Sequence, residues 1–187
     1  MNTTLAYVGS RTTVERNARG AGLSVFRLDD ATGELALLQV CGDLVNPSYL
    51  ALHPRGHRLY TVHGDHREIS TLAVDPCSGR LTRLHTRTFE GRNPVHLALS
   101  PDARHVVVSS HLTGEVLVLP IDAAADDTVG EVVQRVALPG TPGPHRVEQP
   151  FSKPHFNPFS PDGRHLFVPD KGLDRIFTFR WQDDRLV

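Results

Sequence analysis

Three segments of this chain align with one another without a gap, and this self-similarity restricts the fold more than any other feature. They are Asn46–Tyr60, Asn93–Val107 and Lys153–Phe167. Each holds two prolines seven residues apart: Pro47 and Pro54, Pro94 and Pro101, Pro154 and Pro161. The copies are spaced 47 and then 60 residues apart. A repeat of this length is one supersecondary unit that must stack on its neighbours to bury its faces. The extra length before the third copy falls in Asp122–Gly143, rich in Ala, Asp, Gly and Pro, and reads as a longer loop or insertion.

Each unit contains four short apolar runs. In the second they are Tyr49–Leu52, Leu59–His63, Ile69–Val74 and Leu81–Thr88, rich in Val, Leu, Thr and Tyr as strands prefer. Turn residues separate them, and no stretch has a 3.6-residue apolar period. Four strands per unit and a period in the forties predict an all-β chain, a β-propeller of four-stranded antiparallel blades. The approximate blades are 1–45, 46–92, 93–150 and an incomplete 151–187. An Asp-initiated turn closing on Gly precedes the last strand of a unit, at Asp30–Gly33 and Asp75–Gly79, with a shorter version at Asp183–Leu186. The chain therefore opens on the second strand of a blade, Leu5–Gly9, and holds about three and a half blades. A propeller protects its edges by closing into a ring. The expectation is a piece of a seven-bladed ring, or a ring completed by a second chain. Alone, the chain is expected to self-associate through unclosed blade edges.

Composition narrows the function. Among 187 residues the formal net charge is −1, which offers no general field for nucleic acid or an anionic membrane. No apolar run approaches the roughly 18–20 residues of a membrane helix. No basic segment precedes an apolar one near the N-terminus, so the expected location is cytoplasmic. The two cysteines, Cys41 and Cys77, lie outside any CxxC pair and read as free thiols. His63-Gly-Asp65-His66 has the residue types of a metal cluster but nothing nearby to complete a shell, so no metal is expected. No nucleophile elbow or phosphate-cradling glycine motif is present.

Several stretches resemble the seven-bladed lactonase family, which includes propeller-type 6-phosphogluconolactonases and carboxy-muconate cyclases. Tyr7-Val-Gly-Ser-Arg-Thr12 resembles the family's opening strand, and Asn93–Leu97 with Ser100–Asp102 resembles an inner strand and turn. The most specific stretch is Pro154-His155, Phe159–Arg164 and Leu166–Ile176. The family often carries two histidines before that turn; here His155 keeps the nearer position and Lys153 takes the farther. Its Ala-Asn-Tyr appears as Ser109-Ser110-His111. The resemblance implies a cofactor-free lactonase acting on a small sugar lactone, 6-phosphogluconolactone foremost. It also places a catalytic Arg and Glu in later blades, beyond Val187.

Lactone hydrolysis needs a base for water, or an acid for the leaving alcohol, and a positive group for the oxyanion. His155, at the start of an innermost strand, is the candidate acid/base; its plain alternative is a hydrogen bond to a neighbouring loop. Arg146, on a loop similar to a family segment, is a candidate anion contact as a fork, or simply a solvated arginine. His96 and Lys171 are further candidates for substrate contact. Strand alternation says that His96 and His155 occupy non-equivalent positions. Asp174 and Arg175 read as residues that pin a turn between blades. The rival reading is a non-catalytic propeller module whose loops hold a peptide or protein, since a fold alone settles no function.

Overall fold

A computed structural model describes residues 4–187 as four antiparallel sheets in chain order. The first contains β1 (Thr4–Gly9), β2 (Leu23–Leu28) and β3 (Leu35–Cys41). The second contains β4 (Pro47–Leu52), β5 (Arg58–His63), β6 (Glu68–Val74) and β7 (Leu81–Thr88). The third contains β8 (Pro94–Leu99), β9 (His105–Ser110), β10 (Glu115–Asp122), β11 (Thr128–Val129) and β12 (Gln134–Ala137). The fourth contains β13 (His165–Asp170), β14 (Arg175–Gln182) and β15 (Arg185–Leu186). Each sheet is a meander, as expected of partial-propeller blades. Cys41 and Cys77 are unpaired.

The strands pack through both faces because their side chains alternate. In β9, Val106 and Val108 join the core shared with the second sheet, while Val107 joins the core shared with the fourth. In β10, Leu117 and Leu119 face one way and Val116 and Val118 the other. The runs Val106–Val108 and Val116–Leu119 in the middle of these strands are therefore apolar at every position. The fourth sheet differs: Phe177, Phe179 and Trp181 pack inward, while Ile176, Thr178 and Arg180 are exposed.

Three expectations change in detail. Asp122–Gly143 is not a loop throughout, because it supplies the third sheet's outer strand in two pieces: β11 pairs with the end of β10 and β12 with its start. Asp29, not Asp30, caps the first turn, its Oδ1 accepting Ala31 N–H at 2.9 Å and Thr32 N–H at 3.1 Å. Asp75 does the same for Cys77 and Ser78. The innermost strand expected at His155 is extended chain with two isolated bridges, Pro154 to Asp170 and Phe159 to Leu166. Pro158, opposite Phe167, and Pro169, opposite His155, provide no N–H groups, so no regular ladder forms.

Adjacent sheets are also pinned by polar side chains. Gln39 on β3 exchanges two hydrogen bonds with the backbone of Leu81 on β7, at 2.8 and 2.7 Å. Gln134 on β12 repeats this with Leu186 on β15, at 2.8 and 2.9 Å. Asn46 and Asn93, both in the left-handed region (φ 45° and 54°), accept N–H groups from the preceding sheet's loop: Thr12 at 2.8 Å and Asp65 at 2.7 Å.

Candidate functional site

The three repeats start their inner strands opposite the end of the following strand: Pro47 pairs with His63, Pro94 with Ser110, and Pro154 with Asp170. The segments entering each sheet and the loops after each second strand therefore gather at one end. Just after the first proline, the register slips by one residue in β4 and β8. The two bridges of the fourth sheet carry the same one-residue slip. Ser48, Val95 and His155 hold the equivalent bulged position. A bulge re-aims the extra side chain, and this one leaves His155 exposed while its N–H still reaches Pro169 O at 3.0 Å.

His155 lines an open groove of about 260 Å³ with Lys171, Asp174, Arg175, Ile176 and Pro169. Its ring lies edge-on to that of His111, 5.1 Å between centroids. His111 is buried, and its Nδ1 lies 3.2 Å from Pro154 O. Burial, then the nearby His155, Lys171 and Lys153, disfavours protonation of His111 despite that hydrogen bond.

The turn under this groove is organised by Asp170, 2% exposed. Its Oδ1 accepts N–H groups from Lys153 (2.8 Å), Gly172 (2.8 Å) and Leu173 (3.0 Å), and its Oδ2 accepts the Ser152 hydroxyl at 2.5 Å. Gly172 is required there: a Cβ would lie 1.9 Å from Phe151 O. The pinning expected of Asp174 and Arg175 falls chiefly to Asp170. Asp174 accepts one bond from Gln149 Nε2 at 2.5 Å, and Arg175 is exposed. The signal missed in the sequence was an aspartate followed by a lysine and a glycine at a strand end, a pattern for a carboxylate that collects turn N–H groups.

The candidates do not all converge. His155 and Lys171 share the groove. Arg146 is exposed on the segment leading to it and makes no hydrogen bond or ion pair among the described residues. That segment is tied to the groove by Gln149 Nε2 to Lys171 O at 2.9 Å and by Lys171 Nζ to Glu148 at 2.8 Å. His96 is 3% exposed and lies between Tyr49 and Phe156, with ring centroids 4.1 and 4.0 Å away. Burial, opposed by its contact with Asn157, lowers its pKa to about 4. Asn157 is fully buried where the other repeats carry Leu50 and Leu97, and it joins His96 to Ser109 and Val107 O. Of the cluster at 63–66, His63 uses both ring nitrogens on Val45 O and Ser70, and Asp65 is paired with Arg11 and Arg16.

A family model described as lactonase, 7-bladed β-propeller, matches residues 5–187. The chain belongs to this family. This lactonase-family chain is 26% identical over 186 residues to the 6-phosphogluconolactonase of Bacillus subtilis, covering 98% of this chain and 51% of that protein. Its fold superposes on the periplasmic gluconolactonase of Pseudomonas aeruginosa with a TM-score of 0.81 at 28% identity, covering 98% of this chain and 52% of that one. A Bacteroides uniformis protein provisionally assigned as a 6-phosphogluconolactonase gives 0.86 at 28% identity, covering 99% and 52%. The chain thus spans about half the length of the relatives it matches. No helix among the described residues is long and apolar enough to cross a membrane.

Proposed function

We propose that this chain carries part of the active site of a lactonase that hydrolyses a sugar lactone, with 6-phosphogluconolactone the first substrate to test. It uses no metal or organic cofactor in this reading. The observation that carries it is His155: exposed at the bulge of the matched motif and sharing a groove with Lys171. Its imidazole takes a proton from the attacking water and returns it to the ring oxygen that leaves. Lys171, and Arg146 from the adjoining segment, supply positive charge for the substrate's anionic groups. His96, neutral in its aromatic stack, fixes the wall on which the inner strand rests. The setting we propose is the cytoplasm, to be checked by cell fractionation.

In the protein of full natural length, His155→Ala lowers kcat by roughly 10²-fold or more, the scale of a lost general acid/base. Near-normal turnover on every lactone tested would return His155 to a structural role. Residues 1–187 alone are proposed to associate and to lack turnover. Val8, Phe167 and Ile176 are 46, 38 and 69% exposed on the outer sheets, and apolar surface left in water favours association. Size-exclusion chromatography with the same lactone assay tests this, and an active monomer refutes it.

A further inference from the structure

The third sheet departs from the second on its outer side. In the second sheet the outer strand, β7, runs unbroken from Leu81 to Thr88. In the third it is interrupted between β11 and β12. Gly130 N–H reaches Pro120 O at 2.8 Å and Val133 N–H reaches Val118 O at 2.9 Å, while the N–H groups of Glu131 and Val132 between them make no hydrogen bond among the described residues. The interruption falls within Asp122–Gly143, the stretch that makes this repeat longer. β12 then continues as an edge, paired with β10 alone. An edge with free N–H groups is a template for one more strand.

The interruption opens a groove against the second sheet. Its volume is about 640 Å³, and it runs between Val132, Val133 and Arg135 on one side and Arg67, Thr88 and Phe89 on the other. Both walls belong to sheets that are flanked by a further sheet, and none of the lining residues belongs to the His155 groove. The floor is apolar: Phe89 is 5% and Val133 51% exposed, and Val132 packs on the core shared by the two sheets. The rim charges have opposite partners, with one exception. Arg87 donates to Glu131, and Arg135 lies 3.5 Å from Glu115 and 3.9 Å from Glu90. Arg67 is exposed, and its guanidinium makes no hydrogen bond or ion pair among the described residues; Glu68, beside it in the chain, lines the adjoining cavities instead.

We propose that this groove takes an extended peptide segment of another protein, laid along the interrupted outer strand of the third sheet. A bulky apolar side chain of the segment covers Phe89 and Val133, and an acidic one meets Arg67. Its C=O groups accept the free N–H groups of Glu131 and Val132. In strand addition of this kind main-chain bonds give affinity and alternate side chains give the choice of sequence. The unpartnered guanidinium selects a carboxylate by charge complementarity, its planar fork matching the two oxygens. The partner stands independently of the lactonase reading.

The test is fluorescence polarisation of the full-length protein with a library of labelled hexapeptides, capped at both ends. A central Phe or Leu is followed two residues later by Glu or by Lys, and the other positions vary. Wild type prefers Glu over Lys in its best binder by about ten-fold or more, the scale of one charge-assisted contact. Arg67→Glu reverses that preference, and Val133→Asp weakens the best peptide by about ten-fold or more. Both side chains are exposed, so both variants fold; should circular dichroism show that Val133→Asp does not, the Arg67→Glu arm decides. Lactone turnover is the same in both variants as in wild type. No hexapeptide bound more tightly than about 1 mM, Glu and Lys peptides bound alike, or Val133→Asp binding as wild type does overturns the proposal. So does free glutamate binding as tightly as the best peptide, which would make the groove a small-molecule site. Peptide binding without turnover of any lactone keeps the groove and removes the lactonase, and turnover without peptide binding does the reverse.

Discussion

Removing the Asp170 carboxylate should cost this chain more than any surface change, because one buried group closes a whole turn. Asp170→Ala leaves three N–H groups, of Lys153, Gly172 and Leu173, and the Ser152 hydroxyl without their acceptor. Each polar group left unpaired in a buried place costs about 1–3 kcal/mol. The turn lies at the end of the sheet, where water and relaxation recover part, so the expected loss is about 3–5 kcal/mol. Asp170→Asn keeps an oxygen for the three N–H groups and turns its amide N–H toward Ser152, losing only the charge assistance, about 1–2 kcal/mol. With a urea m-value of about 2 kcal/mol/M, the midpoint falls by about 1.5–2.5 M for Ala and by under about 1 M for Asn. Equilibrium urea denaturation followed by tryptophan fluorescence measures both; Trp181 packs in the core shared by the third and fourth sheets. An Ala midpoint within about 0.3 M of wild type at unchanged m-value would refute the reasoning and make Asp170 a bystander.

Gln134→Ala should lower stability by about 1–2 kcal/mol, because it unpairs both the N–H and C=O of Leu186; a change below about 0.3 kcal/mol would show that water replaces the amide. Burial lowers the His96 pKa to about 4, below its unfolded value of about 6.5. Protonation therefore favours the unfolded chain, so this contribution is complete above about pH 6.5 and is lost as pH falls toward about 4. His63 and His111, also lowered by burial, add in the same direction. Urea midpoints between pH 7 and 4.5 should decline less steeply in His96→Gln than in wild type, and equal slopes would remove His96 from the account.

The sequence by itself determined the architecture. Proline pairs seven apart, repeated at intervals of 47 and 60 residues, are local signals: each marks a turn and the strand before it, and strand pairing within a meander joins neighbours in the chain. His155 and Lys171 could be named as candidates because they stand in the stretch that most resembles the family motif, and the fold brings both to one groove. The joints between sheets were not legible. Gln39 meets Leu81, Gln134 meets Leu186 and His96 meets Asn157 across 42, 52 and 61 residues, and nothing local marks a glutamine that will face another sheet's backbone. Lys153 shows the same limit: the repeat says that an asparagine is missing, but only packing reveals that the residue in its place is 8% exposed. Side-chain burial and pairing depend on which surfaces three-dimensional stacking brings together, and that stacking decided the electrostatics of the site.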